Sequence, residues 1–227
     1  MSSFTSFYLT WLEQLHELVH QLSSVQRPPT TPGHQYDLFH LVTKVMSHYD
    51  DYYKVKSFAA ETDPLSVFAA PWATTLERSL HWIAGWRPTT VFHLVYSESS
   101  ILFESHIVDI LRGLRTGDLG DLSPSQFRRV SELQCETVTE ENDITEEFSE
   151  WQDSASELVD LGADLEEKIR RLVEVSRRAD DLRLKTVRGV VELLTPQQAV
   201  EFLMAAAELQ FGVRGWGVNH DRERSYF

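Results

Sequence analysis

The residues best suited to chemistry lie near the N-terminus, where His16-Glu17-Leu18-Val19-His20 matches the H-E-x-x-H signature of zinc peptidases. In such enzymes two imidazoles one helical turn apart bind zinc, and a third ligand completes the site. The glutamate polarises the zinc-bound water. The spacing therefore suits a metallopeptidase, provided that the helix faces a cleft.

The surroundings of this motif argue against a metal centre. With about 100° of rotation per residue, His16 and His20 point away from the apolar stripe of their helix, towards solvent. Only 15 residues precede His16, too few for the sheet that ordinarily comes before such a helix, and no downstream segment offers a third ligand. We interpret the match as chance, which predicts no metal site and no peptidase activity. Adventitious metal binding there is the alternative.

The other reactive side chains form no recognisable site. The remaining histidines are scattered. His40 and His48 on the second helix, and His81 and His93 beside apolar residues, are expected to be partly buried structural residues. A haem or metal site built from two of them is the alternative. Cys135, the single cysteine, has no CxxC neighbour and is expected to be an inert thiol. The chain contains no G-x-G-x-x-G, P-loop or G-x-S-x-G motif. The sequence predicts no catalytic residues and a protein that is not an enzyme.

Tryptophans are concentrated between residues 72 and 86. Trp72, Trp82 and Trp86 stand beside Arg78 and Arg87, and aromatic side chains at this density are typical of a core. The alternative is a pocket for haem or an acyl chain, lined also by other aromatic residues (Tyr52, Tyr53, Phe68 and Phe92). No motif identifies a cofactor-binding residue, so those residues are unknown at this point.

The elements that must position these residues are helices. Apolar residues recur every three or four positions, and no alternating strand pattern occurs, so the predicted fold class is all-α. Two prolines in the segment from Ser57 to Trp72 predict a loop. In the N-terminal half, helices are predicted over about residues 3–25, 34–53, 74–84, 90–96 and 101–114.

The C-terminal half has a different pattern. Ser123-Pro124-Ser125-Gln126 and Thr195-Pro196-Gln197-Gln198 each combine an N-cap, a proline at the first helical position and a capping glutamine. Between them the apolar residues form a heptad-like seam (Ile144, Phe148, Trp151, Ala155, Leu158, Leu165, Ile169, Leu172 and Ala179). The seam predicts long antiparallel helices, with an intramolecular core as its favoured role and a partner surface as the alternative. A final helix is expected over Pro196–Arg214.

The charge of the chain restricts its partners. Lys and Arg total 21 against 35 Asp and Glu, which gives a formal net charge of −14 and a pI near 5.0. Because phosphate and anionic lipid repel such a chain, neither direct nucleic-acid binding nor membrane binding is expected. Seventeen acidic and five basic residues fall between Ser131 and Asp181. A solvated helix face is the simple explanation, and an acidic surface for a basic protein partner is the alternative.

Length and apolar content also limit the class of protein. The 227 residues are 42% hydrophobic, enough for a sizeable core and too many for a disordered chain. The longest clean apolar run, Val67–Ala73, has seven residues, whereas a membrane span needs about 18. The N-terminus shows no targeting segment. We therefore expect a protein of the nucleus, the cytoplasm or both.

Three blocks of residues occur in a fixed order. The first is Phe4-x-x-Phe7-Tyr8-x-x-Trp11-Leu12-Glu13. The second combines Pro71-Trp72-x-Thr74-x-Leu76-Glu77-Arg78 with His81-Trp82-Ile83-Ala84-Gly85-Trp86-Arg87-Pro88, and the third combines Ala179-Asp180-x-Leu182-Arg183-x-x-Thr186-Val187 with Leu194-Thr195-Pro196-x-Gln198-Ala199. Together they resemble the plant DOG (delay-of-germination) domain, which is also the C-terminal domain of TGA-type bZIP transcription factors. The blocks lie within residues 4–217, and the resemblance implies one domain over 1–227 with an internal linker near 113–122.

The resemblance implies an all-helical regulatory domain without catalytic activity. Members of the family act in seed dormancy, development and transcription, bind co-regulators and support dimerisation. The expected partners are therefore transcription or signalling regulators and a second copy of the chain. The TGA factors carry a basic region and a zipper before the domain, and none precedes Phe4 here, so direct DNA contact is not expected although the family is associated with it. A haem- or acyl-binding sensor and a pollen-aperture factor are the alternatives that the resemblance implies.

Overall fold

A computed structural model describes residues 3–154 and 165–224 of the chain. Its helices are α1 (Ser3–Ser24), α2 (Pro32–Thr62), α3 (Pro64–Ala69), α4 (Thr75–Ser79), α5 (Thr90–Leu111), α6 (Pro124–Asp153), α7 (Leu165–Leu193) and α8 (Pro196–Arg224). A 3-10 turn lies at Leu119–Asp121. Apart from an isolated bridge between Trp82 and Gly85, the described residues contain no β-structure. The predicted all-α class is confirmed.

The helix starts follow the local sequence. The Ser123 side chain accepts a hydrogen bond from the backbone N–H of Gln126, and the Gln126 side chain accepts one from the N–H of Ser123. Thr195 and Gln198 make the same reciprocal pair at the start of α8. These bonds satisfy backbone donors that have no partner within the helix, so each capping motif fixes where its helix begins.

The long helices α6 and α7 pack along each other. The Trp151 Nε1 donates to the Lys168 carbonyl oxygen at 2.9 Å near the end of α6, and the Lys185 Nζ lies 2.5 Å from a Glu140 carboxylate oxygen further back. Residues near the end of α6 therefore contact the start of α7, and earlier residues of α6 contact later residues of α7, so the two helices are antiparallel. The described seam residues Ile144 and Ala179 share one buried cluster, so they form an intramolecular core. The seam residues Ala155 and Leu158 lie outside the described residues.

The main core is formed by helices from both halves of the chain. Its fully buried members come from α1, α2, α5, α6, α7, α8 and the 3-10 turn and include Leu22, Leu38, Phe92, Leu119, Val130, Val190 and Phe202. A second, aromatic-rich cluster joins α1 to Trp72 and to the end of α2. Among the described helices, none combines the length and the apolar character that crossing a bilayer requires.

The predicted loop from Ser57 to Trp72 is wrong for most of its length. Helix α2 continues to Thr62, and α3 follows at once. The two prolines are compatible with this arrangement because Pro64 begins α3 and Pro71 lies beyond its C-cap residue, Ala70. The apolar periodicity is weak here because a buried position is occupied by a lysine, Lys56.

Other helix boundaries also differ from the prediction. The helix expected over 74–84 ends at Ser79, and residues 82–85 form a turn in which Ile83 and Ala84 have positive φ angles. The helices expected over 90–96 and 101–114 are one continuous helix, α5. Helix α8 does not stop at Arg214 but continues to Arg224, because Gly217 packs directly on Thr74 of another segment.

Candidate functional site

A fully buried arginine holds the turn between α4 and α5. Arg183 projects from α7, and its Nε donates to the Trp86 carbonyl oxygen at 2.6 Å. Its Nη2 donates to the carbonyl oxygens of Trp82 and Ile83, the latter at 2.9 Å. One guanidinium therefore satisfies three main-chain acceptors of a turn about 100 residues away in sequence.

A second buried cation completes this arrangement. The Lys56 Nζ lies 2.9 Å from a carboxylate oxygen of Asp180 and donates to the Ala84 carbonyl oxygen at 2.9 Å. The same Asp180 oxygen accepts a hydrogen bond from Arg183 at 2.6 Å. Burial lowers the pKa of Lys56, and the Asp180 charge opposes that shift. We call these three residues the Lys56–Asp180–Arg183 cluster.

The turn needs a glycine where the arginine approaches. A Cβ atom on Gly85 would lie 2.9 Å from the guanidinium carbon of Arg183. Ile83 and Ala84 adopt φ angles of 45° and 59°, which L-residues rarely do, so surrounding contacts must hold them in place. The W-x-x-G-W-R pattern of residues 82–87 is therefore explained by packing on the buried cluster.

A buried carboxylate fixes the start of α5. Glu141 of α6 accepts hydrogen bonds from the Arg87 Nε at 2.8 Å and from the Thr89 N–H at 3.1 Å. The Thr89 hydroxyl also bonds to Glu141, which explains why this N-cap residue makes no side-chain cap of its own. Helices α6 and α7 thus both hold the segment that connects α4 to α5.

The three sequence blocks meet around one cavity of about 410 Å³, which we call the aromatic cavity. Tyr8 and Trp11 come from the first block, Trp72 from the second and Phe202 from the region of the third. Most of the remaining wall is apolar or aromatic (Tyr49, Tyr52, Tyr53, Trp86, Val91, Leu94, Val187 and Leu203). Sites of this size and lining can enclose a small, mostly apolar molecule.

The ionisable groups of the aromatic cavity are largely neutral. Burial raises the pKa of Tyr8 to about 12, assisted by the nearby Glu77 charge. Burial, together with the charges of Lys56 and Arg183, lowers the pKa of His81 to about 4. The charged residues in the wall have partners, since Arg87 pairs with Glu141, and Glu77 with Arg214 at 3.2 Å. At neutral pH Tyr8 and His81 are therefore uncharged, and the charges of Arg87 and Glu77 are paired.

The aromatic residues that the sequence suggested for a ligand pocket do not all line the aromatic cavity. Trp72, Trp86, Tyr52 and Tyr53 line the aromatic cavity. Phe68 and Trp82 pack instead near Phe148 of α6, and Phe92 is fully buried in the main core. Sequence reasoning missed the contributions of α1 and α8, because those helices are far away in sequence. The signal that could have placed α1 and α8 at the cavity was that the first block lies on α1 and that the third block extends into α8.

The histidines of the H-E-x-x-H match lie on the surface. His16 stacks on Phe211 with 3.6 Å between ring centroids, and its Nδ1 lies 3.3 Å from the Leu12 carbonyl oxygen. His20 is exposed, as is Cys135. In the described ranges, no three His, Cys, Asp or Glu side chains are placed so that they could hold a metal ion. The two histidines thus contribute to the surface of α1 and not to a cleft.

Helix α6 carries a line of carboxylates on its outer face. The exposed members, which we call the acidic stripe, are Glu132, Glu136, Asp143, Glu146 and Glu150. Their spacing follows the helical period over five turns, opposite the face that packs on α7. Two acidic residues beside the stripe bind α7 instead, Glu140 through Lys185 and Glu147 through Arg178. The acidic segment is thus partly structural and partly free surface.

Comparison with known proteins identifies the family. The model of the seed dormancy control family, DOG1, matches residues 14–97. Protein DOG1-like 4 of Arabidopsis thaliana is 32% identical to the chain, over 94% of this chain and 91% of the relative. The chain belongs to the DOG1 family. Protein ZW2 of the same plant is 28% identical over 95% of this chain and 96% of its own length.

The DOG1-family chain also resembles part of larger transcription factors. The tobacco (Nicotiana tabacum) TGACG-sequence-specific DNA-binding protein TGA-2.1 is 26% identical over 91% of this chain, but the match covers only 44% of the tobacco protein. The chain therefore corresponds to less than half of that relative. The resemblance stated from the three blocks is confirmed, and the structure shows that these blocks surround the aromatic cavity and its supporting buried cluster.

Proposed function

We propose that this DOG1-family chain is a non-enzymatic regulatory protein that acts through protein–protein contacts in seed dormancy or developmental control and in the regulation of transcription, in the nucleus, the cytoplasm or both. Family membership and the relatives named as DNA-binding or transcription factors support the regulatory role. The observation that carries the contact mechanism is the acidic stripe of α6.

The acidic stripe has the form of a docking surface for a basic partner. Glu132 and Glu150 are 18 residues apart, which is about 27 Å along a helix. Carboxylates in one line attract a basic helix or extended segment and repel acidic competitors, so they supply specificity and a faster encounter. Because the opposite face of α6 is occupied by α7, the stripe is free to make such a contact without unfolding the hairpin.

Affinity capture from plant tissue tests this proposal. The stripe variant replaces Glu132, Glu136, Asp143, Glu146 and Glu150 by their amides. A matched control replaces five exposed carboxylates elsewhere by amides and changes the net charge equally (Glu13, Asp37, Glu61, Glu208 and Glu223). We expect specific partners to be lost with the stripe variant and kept with the control. Equal recovery with all three proteins would contradict the role of the stripe.

A DNA-retention assay on the purified protein tests whether the chain binds DNA directly. The chain carries a net charge of −14, so counterion release gives it no affinity for a duplex. We expect no retention of a labelled TGACG duplex by the purified protein at about 150 mM salt, the ionic strength of the cell. If the protein retained the labelled duplex and an excess of a scrambled duplex did not displace it, the binding would be sequence-specific. That result would contradict regulation through protein contacts alone.

The aromatic cavity supports a second candidate function, that of a sensor for haem or an acyl chain. Its wall is mostly apolar, and its one lining histidine, His81, is neutral at physiological pH and so has a free ring nitrogen. A neutral imidazole is a haem ligand, and the apolar wall suits either a porphyrin or an acyl chain. These residues therefore fit either ligand chemically.

Mass spectrometry of the protein purified under native conditions tests the sensor. A haem ligand would add its mass and a Soret absorption band that His81→Leu removes. An acyl ligand would add its mass alone, and Ala206→Trp, which fills the cavity from α8, would remove it. Protein without added mass from any plant or bacterial source would contradict this candidate and leave the contact function unaffected.

A further inference from the structure

A groove of about 440 Å³ lies between α2 and α7, with α3 contributing to its wall, and we call it the α2–α7 groove. Of the described residues that line it, only Tyr53 also lines the aromatic cavity, so the two sites are separate. Ligand sites span about 300–1,000 Å³, so this groove suits a small molecule. Much of its wall is apolar or aromatic (Tyr53, Phe58, Ala60, Val67, Val173 and Leu184).

Two ion pairs of the groove are already closed. The side chains of Lys56 and Asp180, which are 3% and 13% exposed, lie 2.9 Å apart at the bottom of the groove. Asp50 of α2 and Arg188 of α7 also line it and lie 2.6 Å apart. Since each of these charges faces an opposite charge within the chain, none of the four calls for a ligand of its own.

Arg177 and Asp181 present opposite charges that are not joined in an ion pair. They are four residues apart on α7, so they lie one helical turn apart, and both line the groove. Among the ion pairs of the described residues, Arg177 is joined to Glu174 at 3.6 Å, an exposed contact of little energy. An arginine that precedes its acid by four residues is the less favourable order for pairing. Both charges are therefore available to a ligand.

The surroundings of Asp181 favour a cation beside it. Burial raises the pKa of this carboxyl, Arg177 opposes the shift, and the charges of Asp180 and Glu140 add to it. An ammonium group bound next to Asp181 would compensate its negative charge. Arg177 offers the complementary group, because a guanidinium binds a carboxylate through two parallel hydrogen bonds.

We propose that the α2–α7 groove binds a free α-amino acid with a large apolar side chain. Its carboxylate binds Arg177, its ammonium group binds Asp181, and its side chain packs on the apolar wall that includes Phe58 and Val67. The two charges of an α-amino acid are carried by groups on the same carbon atom. They therefore match two side chains of opposite charge that lie one helical turn apart.

The charge balance of the groove favours a zwitterion over other small molecules. A nucleotide would need an excess of basic residues, and a polyamine would need an excess of acidic ones. A peptide carries its ammonium and carboxylate groups at opposite ends, so it cannot place both at a single helical turn. The groove is lined by four basic residues (Lys54, Lys56, Arg177 and Arg188) and four acidic residues (Asp50, Glu61, Asp180 and Asp181).

Isothermal titration calorimetry of the full chain with L-phenylalanine tests this proposal. We expect a dissociation constant on the order of 100 µM. N-acetyl-L-phenylalanine lacks the ammonium group, L-phenylalanine methyl ester lacks the carboxylate, and glycine lacks the side chain, so each should bind at least about tenfold more weakly. No binding of L-phenylalanine, L-leucine or L-tryptophan up to about 10 mM would overturn the proposal. So would equal affinity for L-phenylalanine and its two derivatives.

Substitutions on α7 test the two head-group contacts. Arg177→Gln and Asp181→Asn should each weaken L-phenylalanine binding at least about tenfold. Arg171→Gln and Glu192→Gln are the matched controls, since both residues are exposed on α7 outside the groove, and they should bind like the wild type. Circular dichroism checks that the variants are folded. Wild-type affinity in both Arg177→Gln and Asp181→Asn would overturn the proposal.

Ligand discrimination separates direct contact from a structural effect. Arg177→Gln should no longer distinguish L-phenylalanine from its methyl ester, and Asp181→Asn should no longer distinguish it from the N-acetyl derivative. A purely structural loss would weaken all three ligands alike and would overturn the assigned contacts.

A variant of the aromatic cavity tests where the amino acid binds. Ala206→Trp fills the aromatic cavity and should leave L-phenylalanine binding unchanged. Loss of binding in this variant, with wild-type affinity in Arg177→Gln, would place the amino acid in the aromatic cavity and overturn the proposal. The acidic stripe contributes no residue to the α2–α7 groove, so this site goes beyond the proposed function and is tested independently of it.

Discussion

At the scale of single residues, buried polar side chains fix the conformation of the tryptophan-rich segment 82–89, whose composition is typical of an apolar core. Arg183, Lys56 and Glu141 are buried with their hydrogen-bonding groups satisfied. A buried charge is costly unless it is paired, and removing one partner leaves the others unsatisfied. These residues therefore specify the conformation of the 82–89 segment, and their loss should affect stability strongly.

Arg183→Met should destabilise the protein severely. The variant leaves the carbonyl oxygens of Ile83 and Trp86 without the donor that Arg183 supplies, and we expect a loss of about 3–5 kcal/mol in the free energy of unfolding. Urea denaturation followed by circular dichroism measures it. Arg177→Met on the same helix is the control, since the Arg177 side chain is 56% exposed and should change stability by less than about 0.5 kcal/mol. Similar losses in the two variants would contradict the role of Arg183.

His81 should make the stability depend on pH. Its pKa is lowered from 6.5 to about 4 on folding, so the unfolded chain binds a proton that the folded chain does not. The stabilisation is complete above pH 6.5 and is lost as the pH falls towards 4. We expect the urea midpoint of the wild type to fall between pH 7.5 and pH 5, and to fall less in His81→Leu.

Part of that pH dependence should persist in His81→Leu. Burial also lowers the pKa of His48, which stacks on Trp11, so this histidine contributes in the same direction. The test is therefore the difference between the two pH profiles, measured on the same buffers. Parallel profiles for the wild type and His81→Leu would show that His81 is not buried in its neutral form.

At the scale of elements, the local sequence predicts helix starts better than helix ends. The capping residues Ser123 and Thr195 act through neighbours three positions away, so their effect is readable from the sequence. The end of α8 depends on a contact with Thr74, and the end of α4 depends on Arg183, both far away in sequence. The sequence predicts an end at Arg214, ten residues too early, because the packing that extends α8 to Arg224 is not local.

The glycines of α8 should respond oppositely to alanine. A Cβ at Gly212 meets no atom within 4 Å, so Gly212→Ala should raise the free energy of unfolding by about 0.5–1 kcal/mol through helix propensity. A Cβ at Gly217 would overlap the Thr74 side chain, which is fixed because its hydroxyl caps α4. Gly217→Ala should therefore lower the free energy of unfolding by about 1–3 kcal/mol. Urea denaturation of both variants measures the difference, and equal effects would contradict the α4–α8 contact.

At the scale of the whole molecule, charge and apolar surface are segregated. The excess acid is concentrated between Ser131 and Asp181, and the exposed apolar residues in the C-terminal half of α5 lie in a neutral part of the chain. Self-repulsion of a net charge of −14 opposes the folded state, whereas exposed ion pairs contribute little. Variants of the acidic stripe can therefore be tested without changing this apolar surface.

The melting temperature should rise with salt. Raising sodium chloride from about 20 mM to about 300 mM shortens the screening length to less than about 10 Å and weakens repulsion among the carboxylates. We expect a rise of a few degrees by differential scanning calorimetry, and a smaller rise for the five-amide variant of the acidic stripe. A melting temperature that falls with salt would show that ion pairs such as Arg178–Glu147 outweigh the repulsion.

The all-α class, the helix starts at Ser123 and Thr195, the acidic segment and the family could be predicted from the sequence. These features arise from residue types and from spacings of three or four residues, which act locally. The hold of Arg183 on the Trp82–Trp86 turn, the cavity that the three blocks surround and the uncovered half of α5 became visible in three dimensions. Those features depend on contacts between residues far apart in the chain, which no local pattern encodes.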